Sequence, residues 1–194
     1  MAGVKPSAFE LLLHLAGQFP DELLELARDR LAAGDEPEVG RLVRFGQLAY
    51  RSTAPPDYYD AARALFAAAG VAEENAATLV FPRTPVPPYE FWPVPPGGCD
   101  SGRLDHAITA RCGQVPGLLA VRRAWRTSVG DSSWPGHARV IIAEVAAGAD
   151  PLAARELLRA AAGPAALVEV LPAGTRVPGY HERARTASAL LWSK

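Results

Sequence analysis

Apolar positions recur every three or four residues from residue 6 to residue 80, and beyond residue 89 the period shortens to two over several stretches. The first rhythm belongs to helices with one buried stripe, the second to strands with one buried face. PSAFELLLHLAG places Phe9, Leu12, Leu13 and Ala16 on one side and stops at Gly17. PDELLELARDRLAAGD carries Asp21 and Glu22 in its first turn and Arg28 and Arg30 towards its end, as the helix dipole favours. Its apolar face is Leu23, Leu24, Ala27 and Leu31. PEVGRLVRFGQLAYRS repeats the pattern with Val39, Leu42, Val43, Leu48 and Tyr50, although Gly40 and Gly46 each weaken a helix by about 1 kcal/mol. PPDYYDAARALFAAAG gives Tyr58, Ala62, Leu65, Phe66 and Ala69, and a short fifth helix is predicted from Ala72 to Leu79. Short amphipathic helices with tight connections predict a small helical bundle over residues 1–80.

The second rhythm begins at YEFWPV, a short aromatic strand that Pro93 confines to a sheet edge or a bulge. DSGRLDHAITARCG reads as a helix, GLLAVRRAWRTS as a strand, and ARVIIAEVA as the clearest strand of the chain. DPLAARELLRAAAG is a helix with Asp150 as N-cap and Pro151 in its first turn. ALVEVLP follows as a strand, and VPGYHERARTASALLW closes as a helix with Tyr180, Ala184, Ala187 and Leu191 on one face. The order βαββαβ plus a helix predicts an α+β chain, its second part a ferredoxin-like domain over residues 89–194 with an extra C-terminal helix. Between the two parts, residues 81–88 hold Pro82, Pro85, Pro87 and Pro88 and are expected to form a stiff, extended linker.

Charge divides the same way. Residues 1–98 carry eight basic and thirteen acidic side chains, a charge of −5, and residues 99–194 carry twelve and eight, a charge of +4. The basic charges are scattered, so docking between the halves is a better expectation than binding to nucleic acid. Of the twenty basic residues only Lys5 and Lys194 are lysine, which fits a GC-rich bacterial coding sequence. The opening residues lack the pattern of a secretion signal, and no apolar run approaches a membrane span. A cytoplasmic location is expected, where Cys99 and Cys112 would be thiols.

Catalytic signatures are missing from the sequence: it contains no GxSxG, P-loop, GxGxxG or HExxH pattern. Cys99, His106, Cys112 and His137 lack paired metal-ligand spacing, so no metal or cofactor is expected. His106 beside Asp105, and His181 beside Glu182, read as solvated helix positions. The third strand lacks the aromatics with which a βαββαβ domain stacks RNA bases. Arg122 and Arg126 share one face of the second strand and are expected on the open side of the sheet, with Glu144 as a cross-strand partner for this basic strip. Arg123 and Trp125 share the other face, expected beneath the helices.

These features support a non-enzymatic interaction module, an adaptor or regulatory subunit whose partner is another protein or a second copy of the chain. Its contact face would be Arg122, Arg126, Glu144, Phe91 and Trp92. The rival reading is an enzyme or ligand-binding regulator with a pocket between sheet and helical bundle lined by the same residues.

Overall fold

The computed structural model describes residues 7–52, 56–72, 89–95, 102–129 and 137–194. Among these the chain is mixed α+β, with seven α-helices and one five-stranded sheet. It divides into two compact units, Met1–Pro87 and Pro88–Lys194. The linker expected at 81–88 and all but the first residue of the expected fifth helix lie outside the described residues.

The first unit contains α1 (Ala8–Leu15), α2 (Asp21–Ala32), α3 (Glu36–Tyr50) and, after a short 3-10 turn at Pro56–Tyr58, α4 (Tyr59–Ala68). Each of α1 and α3 packs against both α2 and α4. A capping box starts α1: Ser7 Oγ accepts the Glu10 N–H at 3.2 Å, and the Glu10 carboxylate accepts the Ser7 N–H at 2.7 Å. Asp35 caps α3 through the Glu38 N–H at 3.2 Å. The buried stripe of α3 is Val39, Gly40, Val43, Gly46 and Gln47, while Leu48, expected in the core, is half exposed. The glycines explain the rotation. A Cβ on Gly40 would lie 2.1 Å from the Leu65 carbonyl oxygen of α4, and one on Gly46 would lie 2.4 Å from the Phe19 ring. Positions that cost helix propensity are those that let α3 approach its neighbours.

In the second unit, β1 (Tyr89–Trp92), β2 (Leu118–Ser128), β3 (His137–Val145) and β4 (Ala166–Pro172) lie in that order across the sheet. β1–β2 and β2–β3 are antiparallel, and β3–β4 is parallel. This departs from the expected ferredoxin-like order, in which a strand of one βαβ unit separates the two strands of the other. Here the strands flanking α6 (Pro151–Ala162) are direct neighbours. The expected C-terminal helix is also corrected. Helix α7 (Gly179–Thr186) ends where Thr186 and Ser188 hydroxyls donate to the carbonyls of Glu182 and Arg185, at 2.9 and 2.6 Å. The chain then extends as β5 (Ala189–Ser193), antiparallel to β2.

β1 and β5 share one edge of β2. β1 pairs residues 125–128 and β5 pairs residues 120–123, so Trp92 and Ala189 end and begin consecutive segments of a composite border. Pro93, without an N–H, stops the first segment, and the apolar ALLW takes over.

Alternation sorts the side chains onto two faces. Val121, Arg123 and Trp125 of β2 share a face with Arg139, Ile141 and Ala143 of β3, and there α5 (Gly102–Cys112) packs beside α6. Arg122, Ala124 and Arg126 share the opposite face with Ala138, Val140 and Ile142, beneath α7. A bulge at Leu119 carries Leu118 onto the Val121 face, opposite Val145.

Candidate functional site

Helix α7 is pinned to the sheet by polar and aromatic groups. Arg126 is fully buried, its Nη1 donating to the Tyr180 hydroxyl at 3.1 Å and its guanidinium lying 4.5 Å from the centre of the Tyr89 ring. Tyr180 also meets Tyr89 and Phe91 edge-on, with centroids 6.0 and 5.2 Å apart. One turn position further, His181 Nε2 lies 2.8 Å from Glu169 Oε2 on β4, and both side chains are buried. The expectation that His181 faces water is therefore corrected. His181 and Ala184 form the inner stripe of α7, three residues apart.

Between β1 and α7 runs a groove of about 320 Å³ lined by Tyr89, Phe91, Glu182, Arg183, Thr186 and Ala187. Its floor is aromatic and its helical wall polar. Glu182 is held by Arg185 at 2.8 Å, whereas Arg183 makes no ion pair among the described residues. Among the described residues β1 is the last strand on its side, with alternate backbone N–H and C=O groups facing away from β2.

On the other face, Asp105 of α5 reaches down to two arginines. Its Oδ2 accepts from Arg123 Nη1 and its Oδ1 from Arg139 Nη2. Arg123 Nη2 also donates to the Pro93 carbonyl at 2.8 Å, anchoring the end of β1. Burial pulls the Arg139 guanidinium below its usual pKa, with Asp105 opposing the shift. Asp105 thus ties the helix to two strands, a role that its sequence position beside His106 does not suggest.

The five residues expected to form one contact face are divided. Arg122 and Glu144 do make the expected cross-strand ion pair, at 3.6 Å, with about a third of each side chain exposed (33 % and 30 %). Arg126 is on the same face but sealed beneath α7, so the open-face expectation fails there. Phe91 is buried beside it, and Trp92, one residue on, points to the other face with 48 % exposure. Glu169, Tyr180 and His181, and on the other face Asp105, Trp125 and Arg139, are the polar groups that sequence reasoning did not assemble. Parity gave a signal for Arg139, since it alternates in step with Ile141, Ala143 and Val145.

Cys112 is buried with its thiol 3.3 Å from the Ile108 carbonyl, and burial raises its pKa, so it is a poor nucleophile. Cys99 lies outside the described residues. Among the described residues no three His, Cys, Asp or Glu side chains gather as metal ligands, and no helix is long and apolar enough to cross a membrane.

No family model, no curated protein and no solved structure matches the chain.

Proposed function

We propose that the protein is a non-enzymatic interaction module, and that it takes an extended segment of a partner protein along the outer edge of β1. The observation that carries this reading is a strand, outermost among the described residues, running beside an aromatic-floored groove. Strand addition of this kind draws affinity from main-chain hydrogen bonds and specificity from pockets that receive alternate side chains. An apolar side chain of the incoming strand would sit over Tyr89 and Phe91, and an acidic one would meet Arg183. An adaptor or regulatory role suits this mode of binding.

Panning a library of linear peptides against the full chain tests the reading. Enrichment of an alternating apolar and acidic motif is expected. Ala187→Trp, which fills the groove from the exposed end of α7, should abolish capture and leave the thermal midpoint unchanged. Failure to enrich any linear motif, or binding indifferent to Ala187→Trp, sinks the proposal. A concentration-dependent dimer that Ala187→Trp disperses would identify the partner as a second copy of the chain.

A further inference from the structure

Trp125 and Arg139 stand directly opposite each other on β2 and β3, on the face that carries α5 and α6. Arg139 is 3 % exposed, and one of its nitrogens, Nη2, is taken up by Asp105. Its Nε and Nη1 are buried without an acceptor, and so is the indole Nε1 of Trp125 across the strand pair. A guanidinium and an indole have only N–H donors in the plane of their rings, so neither can satisfy the other by rotating. Two neighbouring residues therefore hold three buried nitrogens that all need the same kind of partner.

Asp105 does not meet the need, because its two oxygens are already engaged by Arg123 and Arg139. A trapped water is a poor solution. It would accept from these nitrogens but would bring two O–H groups requiring acceptors of their own. An oxyanion brings acceptors only, and its charge suits the guanidinium.

We propose that the Trp125–Arg139 corner binds a small oxyanion, a carboxylate or phosphate group, that accepts from Arg139 Nε or Nη1 and from Trp125 Nε1. The row continues outward. Trp92 lies opposite Trp125 on β1 and is 48 % exposed, a flat surface against which the body of a ligand bearing the anion can lie. Exposed His137 ends β3 one row further on, with Nδ1 3.3 Å from Thr127 Oγ1. This site faces away from the β1–α7 groove and does not depend on it.

Thermal unfolding of the full chain is followed while sodium phosphate, or separately sodium acetate, replaces sodium chloride at constant ionic strength. A saturable rise in midpoint is expected with at least one of the two. Phosphate alone marks a phosphoryl ligand, acetate alone a carboxylate. Trp125→Phe keeps an aromatic ring and removes the indole donor, and it should weaken the apparent affinity at least tenfold. Arg139→Lys should weaken it further. The proposal is overturned if neither oxyanion raises the midpoint above chloride, as a bound water would predict. It is equally overturned if wild type and Trp125→Phe titrate alike.

Discussion

The two units bury different things. In the first, the sealed interior is Leu11, Leu12, Leu15, Phe19, Val39, Val43 and their neighbours, with only Arg28, Gln47 and Ser52 as buried polar side chains among the described residues. Arg28 is met by Glu25 at 3.0 Å on its own helix. In the second, Arg123, Arg126, Arg139, Arg155, Glu169 and His181 are all buried around the sheet. Helices that approach through Gly40 and Gly46 depend on close shape complementarity. A sheet that holds guanidiniums on both faces needs partners for them, because an unpartnered buried charge costs several kcal/mol. The first unit therefore reads as packing, and the second is where geometry constrains chemistry.

The largest expected effect tests whether the second unit's core is as intolerant as this contrast implies. Ile142 is fully buried in the middle of β3, with Glu169 opposite it on β4. Ile142→Asp adds a carboxylate beside an existing one in an apolar setting, at a cost of about 4 kcal/mol or more. All four tryptophans follow residue 88, so their fluorescence reports on the second unit alone. An unchanged denaturation midpoint by that signal would show that β3 is not a core strand.

Arg126→Ala should cost about 3 kcal/mol, because the guanidinium sits between the Tyr180 hydroxyl and the Tyr89 ring and leaves both behind. Glu169→Ala should cost a comparable amount, about 2–3 kcal/mol, by stripping His181 Nε2 of its buried partner. Both are read by chemical denaturation. Losses under 1 kcal/mol in both would mean that α7 is held by apolar contact alone.

Gly40→Ala sharpens the comparison from the other side. On a solvent-facing helix position the change stabilises by up to about 1 kcal/mol. Here the new Cβ would lie 2.1 Å from a backbone oxygen of α4, so α3 must move away, at about 1–3 kcal/mol. A variant with a higher far-ultraviolet melting midpoint than wild type would refute the close approach.

What the chain discloses in advance follows from how local each cause is. The four N-terminal helices and the strands ARVIIAEVA and ALVEVLP are set by periodicity and caps within a few residues, and they appear where the sequence places them. The sheet order is not local. A four-residue β1 stopped by Pro93 leaves half of β2's edge to be taken by whatever apolar segment can reach it, and ALLWS, whose spacing also suits a helix, is that segment. The bulge at Leu119 has the same character, since it changes parity without changing composition. Polar site residues were legible only where they broke an apolar alternation, as Arg139 does. Asp105 and His181 look like ordinary surface residues until the fold turns them inward.

The smallest effect separates two arginines on one strand and one face. Arg122 and Arg126 look equivalent in GLLAVRRAWRTS, four residues apart and equally close to the basic strip. Arg126 is sealed under α7, whereas Arg122 is a third exposed and paired with a Glu144 that is similarly exposed. Exposed pairs contribute about 0–1 kcal/mol, so Arg122→Ala should cost less than 1 kcal/mol. Raising salt from about 0.1 M to 1 M shortens the screening length from about 10 Å to 3 Å and should remove most of that difference. Arg126→Ala should keep its penalty at either salt concentration. If the two variants lose equal stability with equal salt dependence, α7 does not seal Arg126, and the two arginines form the single open strip that their spacing in the sequence suggests.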